Sequence, residues 1–411
     1  MVLIQEVSTA PISEAKFGDL IISFTGQFTL RWNDKKSGGD HDVSFYHPVC
    51  KEGFFPLGSV AVGNYDDINN IAAVMCVKAA PNTNALAHPV DYNYIWNDSG
   101  SGASMDGSCW RPVPPDGYVS LGDVFVGNHD KPSLSDVVCV RRDLTYSGAV
   151  GDWIYDDSGT GAHDDFSAYK ITVAGQLYDD DTGLFAPITF IGNNSHDRPQ
   201  TIPSILRLTL PTTKSNDPVA PILNGKASPS KSTLPFLDRE VIIPMTSVND
   251  NEFPVSWRLQ NSPFYYMQRE NLYNLIAFQD NETSDKATLK YEYKSGIDKE
   301  NSKSWSQKTG IEVSAESGIS LFGAEGKISC TVSVELGFEG SSSIREFTEE
   351  TISSEVPVAS KTAVAIWSSS YNLKVLRGDR SQVGPPLTFK TPSVAISQYP
   401  NLTVTMVQHS I

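Results

Sequence analysis

Acidic side chains are the most frequent source of potential chemistry in this sequence. Asp34, Asp98, Asp157, the pair Asp164 and Asp165, and the run Asp179, Asp180 and Asp181 recur along the first half of the chain, and paired carboxylates are what glycoside hydrolysis uses. A glycosidase needs one asymmetric pair. Asp34, Asp98 and Asp157 instead occupy three copies of one glycine- and serine-rich loop, which points to turn-building side chains or to shared ligand sites. Each follows an aromatic by two residues, and an aromatic face beside carboxylates has the composition of a sugar site. Trp32, Asp34, Trp96, Asp98, Tyr155 and Asp157 are therefore candidate glycan-binding residues, while the same three aromatics would serve equally as core residues. Residues 156–161 are rich in oxygen ligands but lack EF-hand spacing, so a turn is the preferred reading and no metal is predicted. Seven histidines show no HxxxH or His–Cys spacing. GxSxG, Walker and strand–helix GxGxxG motifs are absent. The expectation is a protein that is not an enzyme and carries no cofactor.

The loops belong to an internal repeat. Trp32, Asn33 and Asp34 lead through Ser37, Gly38 and Gly39 to Pro48; Trp96, Asn97 and Asp98 lead through Ser99 and Gly100 to Pro112; Tyr155, Asp156 and Asp157 lead through Ser158 and Gly159 to Ile171. Residues 53–64 superpose on 117–128 without a gap, and a looser third copy runs over 183–193. Cys76 and Cys139 also hold matched positions, as apolar packing residues. Three repeats of about 60 residues with short strands and glycine turns predict three sheets around a pseudo-threefold axis, a β-prism. The stretch Trp110, Arg111, Pro112, Val113, Pro114, Pro115, Asp116, Gly117, Tyr118, Val119, Ser120, Leu121, Gly122, Asp123, Val124 resembles the signature of the Vps62 family, named after a vacuolar protein-sorting protein. The resemblance covers residues 1–205 and implies a receptor-binding β-prism.

Residues 206–235 form a linker, with proline, serine and asparagine dominating from 211 onward and no periodicity. Beyond it, over 236–411, the repeat is gone and the strands lengthen. Val241, Ile242 and Ile243 read as one strand and 255–259 as another, and long alternating segments occupy 287–295, 347–358 and 363–376.

Between those long strands lies the most regular pattern in the chain, over 309–340. Ile311, Val313, Ala315, Ile319 and Leu321 alternate with Glu312, Ser314, Glu316 and small residues. After the glycine-bracketed 323–326, Ile328, Cys330, Val332, Val334, Leu336 and Phe338 alternate in the other parity with Lys327, Ser329, Thr331, Ser333 and Glu335. This predicts a hairpin with one apolar and one polar face. Each arm has about the 9–11 residues of a membrane-crossing strand, and such strands span only in a closed barrel, so one hairpin per chain implies an oligomer. The order of long strand, serine-rich hairpin and long Thr/Ser/Glu strands resembles the aerolysin-type pore-forming module of insecticidal and parasporal toxins. That resemblance implies that the first, apolar set faces lipid and the second, polar set lines a pore.

The wider composition fits an all-β globular chain: 411 residues, 39% hydrophobic, with 30 glycines and 25 prolines. A net charge of −16 argues against nucleic acid as the partner. The first 20 residues lack the basic start and apolar core of a signal peptide, so the chain is expected to be made soluble and then secreted or released. Five cysteines without CxxC spacing predict neither a disulfide framework nor a zinc site, and free buried thiols are expected. The favoured function is a β-pore-forming toxin that binds a surface receptor or glycan, oligomerises and inserts into a target-cell membrane. The alternative is a non-lytic carbohydrate-binding or sorting protein.

Overall fold

The computed structural model describes residues 11–174, 181–215, 219–314, 318–322, 329–333 and 349–409. A hairpin, β1 (Glu14–Phe17) and β2 (Leu20–Thr25), precedes a first blade of β3 (Phe28–Asn33), β4 (Ser44–Pro48) and β5 (Val60–Val62), and β6 (Val74–Ala79) returns to pair with β2. The second repeat supplies β7 (Leu86–Ala87), β8 (Asp91–Asn97), β9 (Ser108–Val113), β10 (Tyr118–Val119), β11 (Val124–Val126) and β12 (Cys139–Arg141), with β8, β9 and β11 forming its blade. The third supplies β13 (Thr145–Asp156), β14 (Ser167–Val173), β15 (Thr182–Phe185), β16 (Phe190–Asn193) and β17 (Ser204–Thr209), with β13, β14 and β16 as the blade. These are the three blades of the prism, and the third continues through β17 and β15 as part of a longer sheet.

One device recurs in every blade. The register slips between Leu30 and Trp32, between Tyr94 and Trp96, and between Trp153 and Tyr155. A bulge there re-aims the next side chain, and all three aromatics that follow it are fully buried. Trp32 meets Trp96 edge-on at 5.3 Å, Phe45 stacks on Phe125 at 4.1 Å, and Phe166 stacks on Trp96 at 5.0 Å, so the axis is filled by rings from all three repeats.

The expectation of free thiols is corrected at one pair, because Cys50 and Cys76 form a disulfide. Position 50 corresponds to Pro114 in the second repeat, so Cys139 has no partner there and remains, like Cys109, a buried thiol. Burial pushes both thiols up, Cys139 to about 12.

The C-terminal half contains β18 (Thr212–Lys214), β19 (Phe236–Pro244), α1 (Val255–Asn261), β20 (Phe264–Asn281), β21 (Ala287–Ile297), α2 (Lys299–Thr309), β22 (Ile311–Ser314), β23 (Gly318–Phe322), β24 (Ser329–Ser333), β25 (Glu350–Val358), β26 (Thr362–Leu376), β27 (Leu387–Tyr399) and β28 (Thr403–Gln408). Its main sheet runs β18-β19-β20-β26-β27-β21-β25, with β28 paired to β27. The segment 255–259, read from its alternation as a strand, is helical. Pro254 (φ −66°) precedes α1, and the helix brings the buried Arg258 to the carbonyls of Met245 and Val248 at 2.5 and 2.8 Å, which a strand in the same place would not reach. Arg377 makes a bidentate pair with Asp250 at 2.6 and 2.9 Å. Burial alone would push the Asp250 carboxyl up; Arg377 and the Tyr265 hydroxyl hold it below the usual range.

The two halves share one apolar cluster. Phe17, Leu20, Ile22, Leu57, Leu206 and Leu208 from the prism pack with Val241, Ile243, Phe264, Trp305 and Ile311. Phe264 lies 6.0 Å from Phe17 and 5.5 Å from Phe24, ring to ring.

Candidate functional site: the prism loops and the 309–340 segment

The three glycine loops are built by their aspartates. Oδ1 of Asp34, Asp98 and Asp157 accepts the backbone N–H of Val43, Gly107 and Phe166 at 2.9, 3.0 and 2.8 Å, closing each loop over the same span. The loops then clasp one another in a ring: Asp40 N–H donates to Ser158 O, Ser104 N–H to Lys35 O and His163 N–H to Ser99 O, each at 2.9 Å. Side chains repeat the interlock. Trp32 Nε1 donates to Asp98 Oδ2 at 3.1 Å, and Trp96 Nε1 to Asp157 Oδ2 at 3.0 Å. Tyr155 ends the series with a buried hydroxyl that has no hydrogen-bond partner among the described residues; burial and then the Asp34 charge push its pKa up.

This placement corrects the sugar-platform expectation. Trp32, Trp96 and Tyr155 are 0% exposed, and Asp34, Asp98 and Asp157 between 2% and 6%. A ring without an open face cannot stack on a sugar, so these six residues form the core and the loop clasps, as the competing reading had it.

Sequence reasoning overlooked what gathers beside them. His129 Nε2 lies 2.6 Å from Asp98 Oδ1, and His196 Nε2 lies 2.7 Å from Asp157 Oδ1. Asp106 and Asp165 add a second carboxylate to each, with ligand atoms within 4.8 Å of one another. In the first repeat the histidine position is Tyr65, whose phenol is pushed up by burial and by hydrogen bonds to Asp34 and Asp42. Two carboxylates and an imidazole suit a divalent cation by type. The buried carboxylates, however, already accept from an N–H and an indole on top of the imidazole. The signal was available: Asn64 and Asn128 close the matched repeat stretch, and the next residues are Tyr65 and His129.

The 309–340 segment is an antiparallel meander where it is described. Ile311 pairs with Leu321 and Val313 with Ile319; Ile319 then pairs with Val332 and Leu321 with Cys330. The expected first arm is thus folded back on itself between Ser314 and Gly318. β24 also joins the prism, Thr182 pairing with Ser333 and Phe185 with Cys330. Of the expected lipid-facing set, Ile311 is fully buried in the shared core. Ala315, Glu316, Lys327, Ile328, Val334, Glu335, Leu336 and Phe338 lie outside the described residues. Ahead of β22, α2 is capped by Asp298, which accepts Asn301 N–H, and stops at Gly310 in the left-handed region (φ 68°). No described helix is long and apolar enough to cross a membrane, which says nothing of a β-barrel.

Residues 8–199 match the family described as vacuolar protein sorting-associated protein 62, and residues 237–398 match insecticidal crystal toxin, P42. No curated protein matches the chain. Among solved structures, GNIP1Aa from Chromobacterium piscinae is 27% identical over 44% of this chain with a TM-score of 0.38, and the match spans 34% of that protein. Cry35Ab1 is 13% identical over 94% of this chain and 91% of that one, with a TM-score of 0.35. At these scores the superpositions do not establish a common overall shape. One sequence match falls in each half of the chain, so a Vps62-like stretch is followed by a stretch similar to the insecticidal crystal toxins.

Proposed function

We propose that this chain is a β-pore-forming toxin: the prism engages a molecule on the target-cell surface, chains assemble into a ring, and each contributes one hairpin to a membrane barrel. The observation that carries the proposal is the register of β21 with β25. The residue numbers of each pair add to the same total, 645, from Ala287 and Val358 to Ser295 and Glu350. Continued inward, that register centres a two-residue turn on Phe322 and Gly323, at the edge of the glycine-bracketed stretch read from the sequence. It also sets Val313 opposite Val332 and Glu312 opposite Ser333, apolar against apolar and polar against polar. The existing strand pair is a stem from which the membrane hairpin would grow, with α2 unwinding into it. Helix α2, with three serines, an asparagine and a threonine among its 11 residues, has a modest intrinsic helix preference, so the main cost of unwinding it is the burial of Trp305.

Release of dye from liposomes made of target-cell lipid tests this, with two variants. Val332→Arg places a charge on the proposed lipid face, at about 2–4 kcal/mol per subunit near the membrane centre, and should abolish release. Ser333→Arg on the opposite face should still release dye. No leakage from the parent chain at any concentration would leave the non-lytic binding protein as the better reading.

A further inference from the structure

A cleft of about 280 Å³ opens between the second and third repeats. Its floor is Arg111, whose Nε and Nη2 donate to the two oxygens of Asp123 at 2.9 and 2.8 Å, Nη2 also reaching Gly192 O at 2.7 Å. Asp123 is buried and takes the Gly192 N–H as well, at 2.7 Å. The guanidinium is thereby fixed, and Nη1 is the end that no described protein acceptor uses. Ile171, Ile191 and Pro203 supply apolar walls. Ser120, Thr201 and Ser204 bring hydroxyls to the cleft with no side-chain hydrogen bond among the described residues, and Arg142 on the exposed rim has no carboxylate partner there.

The first repeat differs here. Leu57, Gly58 and Val60, which correspond to Leu121, Gly122 and Val124, line a separate cavity of about 10 Å³ with Pro187, Ile188 and Thr189 of the third repeat. His47, which aligns with Arg111, is buried and bonded through both ring nitrogens, so the first repeat has no guanidinium at the position that forms the floor of the cleft.

Apolar walls with a few convergent polar groups are the make-up of a small-molecule site. Uncommitted hydroxyls suit a polyol, and two guanidinium groups suit a carboxylate. We infer that this cleft binds a sugar bearing a carboxylate, of the uronic or sialic acid class. Its biological role rests on the proposed pore-forming reading, in which the prism docks on a cell-surface molecule; binding itself does not.

Isothermal titration of the full chain with N-acetylneuraminic acid and with glucuronic acid tests the inference, with glucose and acetate as controls. At least one acidic sugar should bind one per chain, with both controls weaker by about tenfold or more, the worth of one charged hydrogen bond. Arg142→Gln should weaken binding by a similar factor, and Ile202→Trp, which fills the mouth, should remove it, both with unchanged melting temperature. No binding by either acid, equal binding of acetate, or full binding by both variants would overturn the inference. Liposome leakage reports separately: acidic-sugar binding without leakage sinks the pore reading alone, and leakage without sugar binding sinks the cleft alone.

Discussion

Trp96 donates its indole N–H to Asp157 and to the Asp164 carbonyl, at 3.0 and 2.9 Å, across a repeat boundary. Trp96→Phe keeps an aromatic ring and leaves those two acceptors unmet, so it should cost about 1–3 kcal/mol in urea unfolding while leaving cell binding by the folded fraction intact. A sugar-stacking tryptophan would give the reverse, weaker binding at unchanged stability. His47 makes a second residue-scale case. Its ring is held neutral, its pKa lowered to about 4 by burial and then by Arg31. Below pH 6.5 the unfolded chain binds a proton that the folded one refuses, so stability should fall between pH 6.5 and 4 and be unaffected by this group above 6.5. His47→Gln should flatten that slope in a series of melting temperatures against pH.

At this scale the sequence was legible in type and ambiguous in role. The spacing of Trp32, Trp96 and Tyr155 from their aspartates identified the loops, but an aromatic beside an acid suits a core clasp as well as a sugar, and only the bulge decides which way the ring points. Cys50 was unreadable as a disulfide partner for Cys76 because it breaks the repeat, and its partner across the sheet is a matter of tertiary placement.

Among the elements, β22, β23 and β24 carry the functional argument. Alternation fixes which residues share a face and says nothing of which strand lies alongside. The same parity therefore serves a docked meander in this structure and a two-armed hairpin in the proposed barrel. The long flanking strands β21, β25 and β26 were legible; the fold-back between Ser314 and Gly318 and the pairing with β15 were not, because both depend on an edge strand from the other half of the chain. That pairing makes a prediction of its own. Leu184 and Thr331 are register partners, so cysteines at both should cross-link in solution and block dye release until reductant is added. Release unaffected by the oxidised cross-link would mean that β24 need not leave β15.

The whole molecule is held by a core common to both halves. Residues 1–205 alone would uncover Phe17, Leu20 and Ile22, so that fragment should bind a hydrophobic dye and melt below the full chain. A fragment as stable as the parent, without dye binding, would show the shared cluster to be of little weight. Shared packing also gives the prism a physical route to the insertion segment, since Ile311 and Phe185 lie in the same cluster.

The central claim is that the chain between β21 and β25 re-pairs as one hairpin in the stem's register, and a cysteine pair at Val313 and Val332 tests it most directly. In this structure β23 lies between them, each being opposite Ile319. Two strand spacings amount to about 10 Å, too far for a disulfide, whose Cα atoms lie within about 7 Å. With Cys330 replaced by serine, the pair should stay reduced under mild oxidant in solution and cross-link within single chains on vesicles that have released their dye. Cross-linking in solution, or none on leaking vesicles, would contradict the account.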